Sequence, residues 1–278
     1  MDTPINQSPV VMEGKGLDYE RFALQKLFGK LVEKEGLKSV LELPAKGEKA
    51  MPSLYSLPFA KAGCAVTLVN PVEQSMWAWQ ALELPLKQFS CSNIVATGLE
   101  PGGFDLVWNF MTLAQIDQKE ALVAEMARLS RRFVMVMAVN RFNPGFFVHR
   151  LVHRISGTPW SHGDVAFMNP FYTANFLKSQ GLSVVRVGTV DTPPYPDSLG
   201  FRDMRLHRMN VDLNTVNWDS RTIGWMKSGR YPIKLEALYL AERLPLPLWL
   251  KLAYAHLFYV LAEVKQPEIV DVHKHTKA

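Results

Sequence analysis

The chain has 278 residues, 48% hydrophobic and 21% charged, enough for one large α/β domain or two small ones with a sizeable buried core. Its 31 basic and 26 acidic residues leave a net charge of +5, too mild to argue for nucleic acid as a partner. Two cysteines, Cys64 and Cys91, exclude a disulfide framework and fit a reducing, cytoplasmic setting; the N-terminus lacks the basic-then-apolar pattern of a signal peptide.

Residues 1–17 read as a flexible leader. From Asp18 onward, Phe22, Leu24, Leu27, Phe28, Leu31 and Val32 fall on one helical stripe that Gly36 stops. KSVLEL is a short apolar strand, and MPSLYSLPFAKAG is helix-like with an expected break at Pro58. CAVTLVN reads as the second strand and PVEQSMWAWQAL as a helix with Pro71 in its first turn; its Trp77 and Trp79 suit core or a partner surface. SNIVATG is the expected third strand, FDLVWNFMTL the fourth, and RRFVMVMAVN, after the helix QKEALVAEMARLS, a fifth buried on both faces. Asn169 and Pro170 open a further helix, LSVVRVGTVD is the sixth strand and FYVLAEV the seventh.

The apolar run LPLPLWLKLAYAHLFYVLA is interrupted by Pro245, Pro247, Lys251 and His256, so it is read as a short helix leading into that last strand, not as a membrane span. A peripheral membrane contact stays open, as does a protein partner. The alternation predicts a Rossmann-like, seven-stranded, mostly parallel sheet with helices on both faces across residues 18–265. Residues 141–168 and 192–243 break the repeat and are expected to serve as lid or substrate elements, and 266–278 as a tail.

The segments VLELPAKG, VTLVNPVEQSM, FDLVWNFMTL, RRFVMVMAVNRFNP and NPFYTANFLKSQGLSVVRVG, taken in this order, resemble a class I S-adenosylmethionine-dependent methyltransferase. The resemblance implies that S-adenosylmethionine lies over the carboxyl ends of the first four strands and that its methyl group passes to a small-molecule acceptor. It assigns the cofactor to Tyr19, Glu42, Leu43, Pro44, Ala45, Gly47, Asn70, Pro71, Gly98, Leu99, Asn109, Phe110 and Met111. The chain departs from the family pattern where Pro44, Lys46 and Glu48 stand at glycine positions of the first turn, and where Asn70 replaces the acid that would grip the ribose. Those departures support an alternative: a catalytically inactive scaffold that binds a protein partner or another nucleotide-like ligand.

Chemistry beyond the cofactor centres on NRFNPGFFVHRLVHRISGTPWSHGD. His162, in a loop, is the candidate to orient or deprotonate the acceptor, with Asp191 at the end of the sixth strand as a second catalytic candidate. His149 and His153 share a helix face; the expectation is that they are solvated while Phe147, Leu151 and Ile155 pack inward, and no metal site is expected because no third ligand is evident. The basic segments HRLVHR, RDMRLHR and SGRYPIK read as ordinary surface charge.

Overall fold

The computed structural model describes residues 10–12, 15–46, 52–192 and 217–265. In chain order the elements are β1 (Val10–Met12), α1 (Lys15–Glu35), β2 (Ser39–Glu42), α2 (Leu57–Lys61), β3 (Ala65–Val69), α3 (Met76–Ala81), β4 (Leu86–Phe89), β5 (Phe104–Phe110), α4 (Lys119–Leu129), β6 (Ser130–Val139), α5 (Pro144–Ser156), α6 (Pro170–Ser179), β7 (Ser183–Val190), β8 (Asn217–Asp219), α7 (Arg221–Ser228), α8 (Ile233–Arg243), α9 (Leu248–Leu252) and β9 (Leu257–Glu263). Seven strands form one sheet in the order β4-β3-β2-β5-β6-β9-β7. All neighbours are parallel except β9, which runs antiparallel to both β6 and β7.

Successive strand residues feed two separate cores, as a period of two requires. Val40, Leu106, Trp108, Met135 and Leu261 pack with α1, α2 and α3 on one face. Leu41, Val107, Val134, Val136 and Val260 pack with α4 and α6 on the other. The first core is knit by rings: Phe28 stacks on Phe59 at 4.1 Å, and both meet the edge of the fully buried Trp108. Among the described residues no helix is long and apolar enough to cross a membrane.

Four expectations are corrected. The third strand of the sheet is β4, not SNIVATG: there the Asn93 side chain accepts the Val95 N–H at 3.1 Å and turns the chain into a loop. Pro58 does not break a helix but sits in the first turn of the short α2, where its missing N–H costs nothing. The leader is partly built into the fold: β1 pairs in parallel with β8, and α1 begins at Lys15. Finally, α5 is turned over relative to expectation. His149 and His153 are buried, while Phe147, Leu151 and Ile155 are 60%, 55% and 77% exposed. The segment RDMRLHR and the tail 266–278 lie outside the described residues. Trp79 is core, its Nε1–H donating to Ser53 O at 2.8 Å, and Trp77 is partly exposed.

Candidate active site

The carboxyl ends of β2, β3, β5 and β6 deliver residues 43–46, 70–72, 111–113 and 140–143 to one rim of the sheet. The turn after β2 is laced to both neighbouring strands. Leu43 N–H donates to Trp108 O at 2.9 Å and Ala45 N–H to Val69 O at 2.8 Å. Pro44 and Ala45 are buried and Lys46 is exposed; Gly47 lies outside the described residues. Asn70 and Met111 hold left-handed backbone, with φ of +52° and +64°, so the rim bends sharply at two residues that are not glycine.

The polar side chains expected to meet the cofactor are engaged by the protein itself. Glu42 is 1% exposed, and its carboxylate accepts from Ser56 Oγ at 2.6 Å; Ser56 Oγ in turn accepts from Trp108 Nε1–H at 2.9 Å. Burial pushes the Glu42 pKa up to about 8, against the Ser56 hydrogen bonds that pull it down. The Asn70 amide binds one residue at both ends: its Oδ1 accepts from Cys91 N–H at 2.9 Å and its Nδ2 donates to Cys91 O at 2.9 Å, which ties the end of β3 to the segment after β4. Asn109 donates to Leu43 O at 2.8 Å and to Thr112 Oγ1 at 2.6 Å, and accepts from Leu113 N–H at 3.0 Å. It therefore fixes the curvature of two rim turns from beneath. Phe110 is buried, stacked on Tyr55 at 3.9 Å, and Pro71 is half-buried at the rim.

Gly98 and Leu99 are misplaced by the sequence reading, because the third strand ends at Phe89. Thr97 N–H and its hydroxyl both donate to Glu125 of α4, and Gly102 N–H donates to Arg128 O, so residues 97–102 run toward the amino end of β5, away from the rim. Tyr19 lies in α1 and is buried. Its hydroxyl donates to Leu238 O at 3.4 Å in α8, beside the end of β7, and burial together with Glu242 drives its pKa well above the ordinary phenol value.

Asp191 has φ of +60° and is buried; its carboxylate accepts from His256 Nδ1 at 2.9 Å, and Glu20 Oε2 stands 3.4 Å from the same nitrogen. His256 N–H donates to Asp191 O at 2.8 Å, which pins the end of β7 to the start of β9. Sequence reasoning saw His256 only as an interruption in an apolar run.

His162 is not alone. Its Nε2 lies 3.2 Å from His149 Nε2, which lies 2.9 Å from His153 Nε2. Asn143 caps the start of α5 and Gly157, in left-handed backbone, ends it; the following loop then doubles back over the helix. Gly163 lets that loop approach the turn after β5, since a Cβ there would fall 2.4 Å from Ala114 O, and Asp164 N–H donates to Ala114 O at 2.8 Å. The spacing of His149 and His153 signalled a pair; the loop that supplies the third ring carried no periodicity to read.

Three comparisons bear on this arrangement. No curated protein matches the chain. Among solved structures, the chain is similar to magnesium protoporphyrin IX methyltransferase from Synechocystis PCC 6803 with bound S-adenosylhomocysteine, at 16% identity over 64% of this chain and 82% of that one, with a TM-score of 0.47. It is also similar to a SAM-dependent methyltransferase from Aquifex aeolicus, at 12% identity over 91% and 100% of the two chains, with a TM-score of 0.46. Residues 51–133 match the family model described as a methyltransferase domain. The matched segment lies on the mostly parallel, Rossmann-like sheet described above.

Proposed function

We propose that this protein transfers a methyl group from S-adenosylmethionine to a small-molecule acceptor. The observation that carries the reading is the methyltransferase-domain match over residues 51–133, which spans α2, β3, α3, β4, β5 and α4 and so includes two of the four rim strands, β3 and β5. The turn at Leu43–Ala45, the bend at Asn70–Pro71 and the bend at Met111 would hold the cofactor by their backbone. The bound cofactor supplies an electrophilic methyl group; the chain's own residues position it and screen it from water. Asn109 keeps the first turn in shape through the Leu43 carbonyl. The acceptor would enter between the rim and residues 141–168, whose loop is hydrogen-bonded to Ala114 beside Met111.

The double grip of Cys91 on Asn70 favours a second reading, a scaffold that binds no adenosyl group. Calorimetric titration with S-adenosylhomocysteine separates the two. The enzyme reading expects a dissociation constant below about 100 μM, roughly 5.5 kcal/mol of binding. Absence of heat and of thermal shift at millimolar ligand would leave only the architecture.

A further inference from the structure

We infer that His149, His153 and His162 form a binding site for a divalent, zinc-type cation. A donor nitrogen from each ring lies within 4.8 Å of the other two, and the two closest Nε2 pairs are 2.9 and 3.2 Å apart. Nitrogens bound ~2.0–2.1 Å from a tetrahedral zinc stand ~3.3 Å apart, so the two closest pairs need only a small outward shift to share one ion.

Proton arithmetic argues for a cation over a hydrogen-bonded stack. His153 Nδ1 faces two carbonyls, Thr158 O and Pro159 O, both at 3.1 Å. Carbonyls only accept, so Nδ1 carries the hydrogen, and a neutral ring then presents a bare lone pair at Nε2. This is the tautomer a metal-binding histidine takes when its far nitrogen donates to a backbone carbonyl. His149 Nε2 has two imidazole nitrogens as near neighbours, and a single hydrogen or a single lone pair on it serves one of them well and the other poorly. A cation at the centre uses all three lone pairs at once.

The surroundings suit such a site. His149 and His153 are four residues apart on the inner face of α5, and both are more than nine-tenths buried. The Trp160 ring packs edgewise against all three imidazoles at 4.8–5.7 Å, and its Nε1–H donates to Gly163 O at 2.9 Å, holding the loop down. Three neutral nitrogen ligands leave a fourth position open to water or to a coordinating group of a bound molecule. Imidazole donors select zinc, cobalt, nickel or copper over magnesium and calcium, which take oxygen ligands.

The test does not depend on methyl transfer. The full chain is stripped with chelator and titrated with Co(II), whose tetrahedral complexes absorb strongly in the visible, and Zn(II) is then added in competition. The expected result is one Co(II) per chain with a tetrahedral spectrum, displaced by Zn(II). X-ray absorption of the zinc-loaded wild-type protein is expected to show imidazole nitrogens at ~2.0 Å. His153→Gln and His162→Gln are each expected to weaken uptake by ~100-fold or more, at least the effect of losing an outer-shell partner. His162 lies on a loop, so its variant decides the matter if the His153 variant fails to fold. A double variant of the tail histidines, His273→Ala with His275→Ala, is expected to bind as the wild type does. A folded chain that takes up no Co(II), uptake unchanged in His162→Gln, or uptake lost in the tail variant would each overturn the proposal.

Discussion

The rim of the sheet and the histidine pocket behind α5 both turn polar side chains away from solvent, but to different effect. At the rim, the two amide side chains meet complementary backbone groups: Asn70 finds the N–H and the carbonyl of Cys91, and Asn109 finds an acceptor at Leu43 and a donor at Leu113. In the pocket, nitrogen meets nitrogen, and the outer side of His153 finds carbonyls. Complementary pairing shapes a surface. Like facing like leaves room for a further component that satisfies all the donors together.

The largest effect that would break this comparison is expected from Gly163→Ala. The new methyl group has φ of +80° against it and would clash with Ala114 O at 2.4 Å, so the loop must lift. About 4 kcal/mol of stability is expected to go, read from urea midpoints, with metal uptake falling although no histidine is changed. Next comes Asn109→Ala, which strips the Leu43 carbonyl and the Leu113 N–H of their partner in a fully buried place. A loss of about 3 kcal/mol is expected, and a loss under 1 kcal/mol would show that the rim is not held from beneath.

Glu42→Gln sharpens the picture through pH. The Glu42 pKa is about 8 in the fold against about 4.3 in an unfolded chain. The folded state therefore holds the proton more tightly, and this contribution is complete below about pH 4 and is lost as pH rises toward about 8. Glutamine has no proton to lose, so the variant is expected to gain in stability over the wild type as pH rises toward about 8, with the gap closing near pH 4. Unfolding curves at a series of pH values that ran parallel for the two proteins would contradict the burial of that carboxylate. The smallest effect is expected from Ile155→Ser on the outer face of α5, within about 0.5 kcal/mol of wild type. A loss several times larger would mean that this face is covered in solution.

Much of the sheet was legible because β2, β3, β5, β6 and β9 are buried on both faces and leave unbroken apolar runs. The strand that escaped, β4, is an edge strand whose four residues are half-buried or exposed, so its sequence looks no different from a loop. The inversion of α5 escaped for another reason. Apolarity was taken to mean burial, yet exposed apolar residues are common, while a buried polar pair is the informative event; here the carbonyls of Thr158 and Pro159 make that burial tolerable. At the site, the order of the rim turns could be read from the spacing of strands. The partners of Asn109 and His256 could not, because Leu43 and Asp191 lie 66 and 65 residues away and only the closed sheet brings them near.

The placement of β9 has a bearing on how the chain is born. Among the described residues β7 pairs with β9 alone, and β9 also covers the open side of β6. A ribosome that has made residues up to 256 thus holds a polypeptide in which the strand edges that β9 will cover, on β6 and β7, are still bare. Maturation must wait for a late segment to thread between two early ones, and during that interval the unfinished edges are open to pairing with other chains.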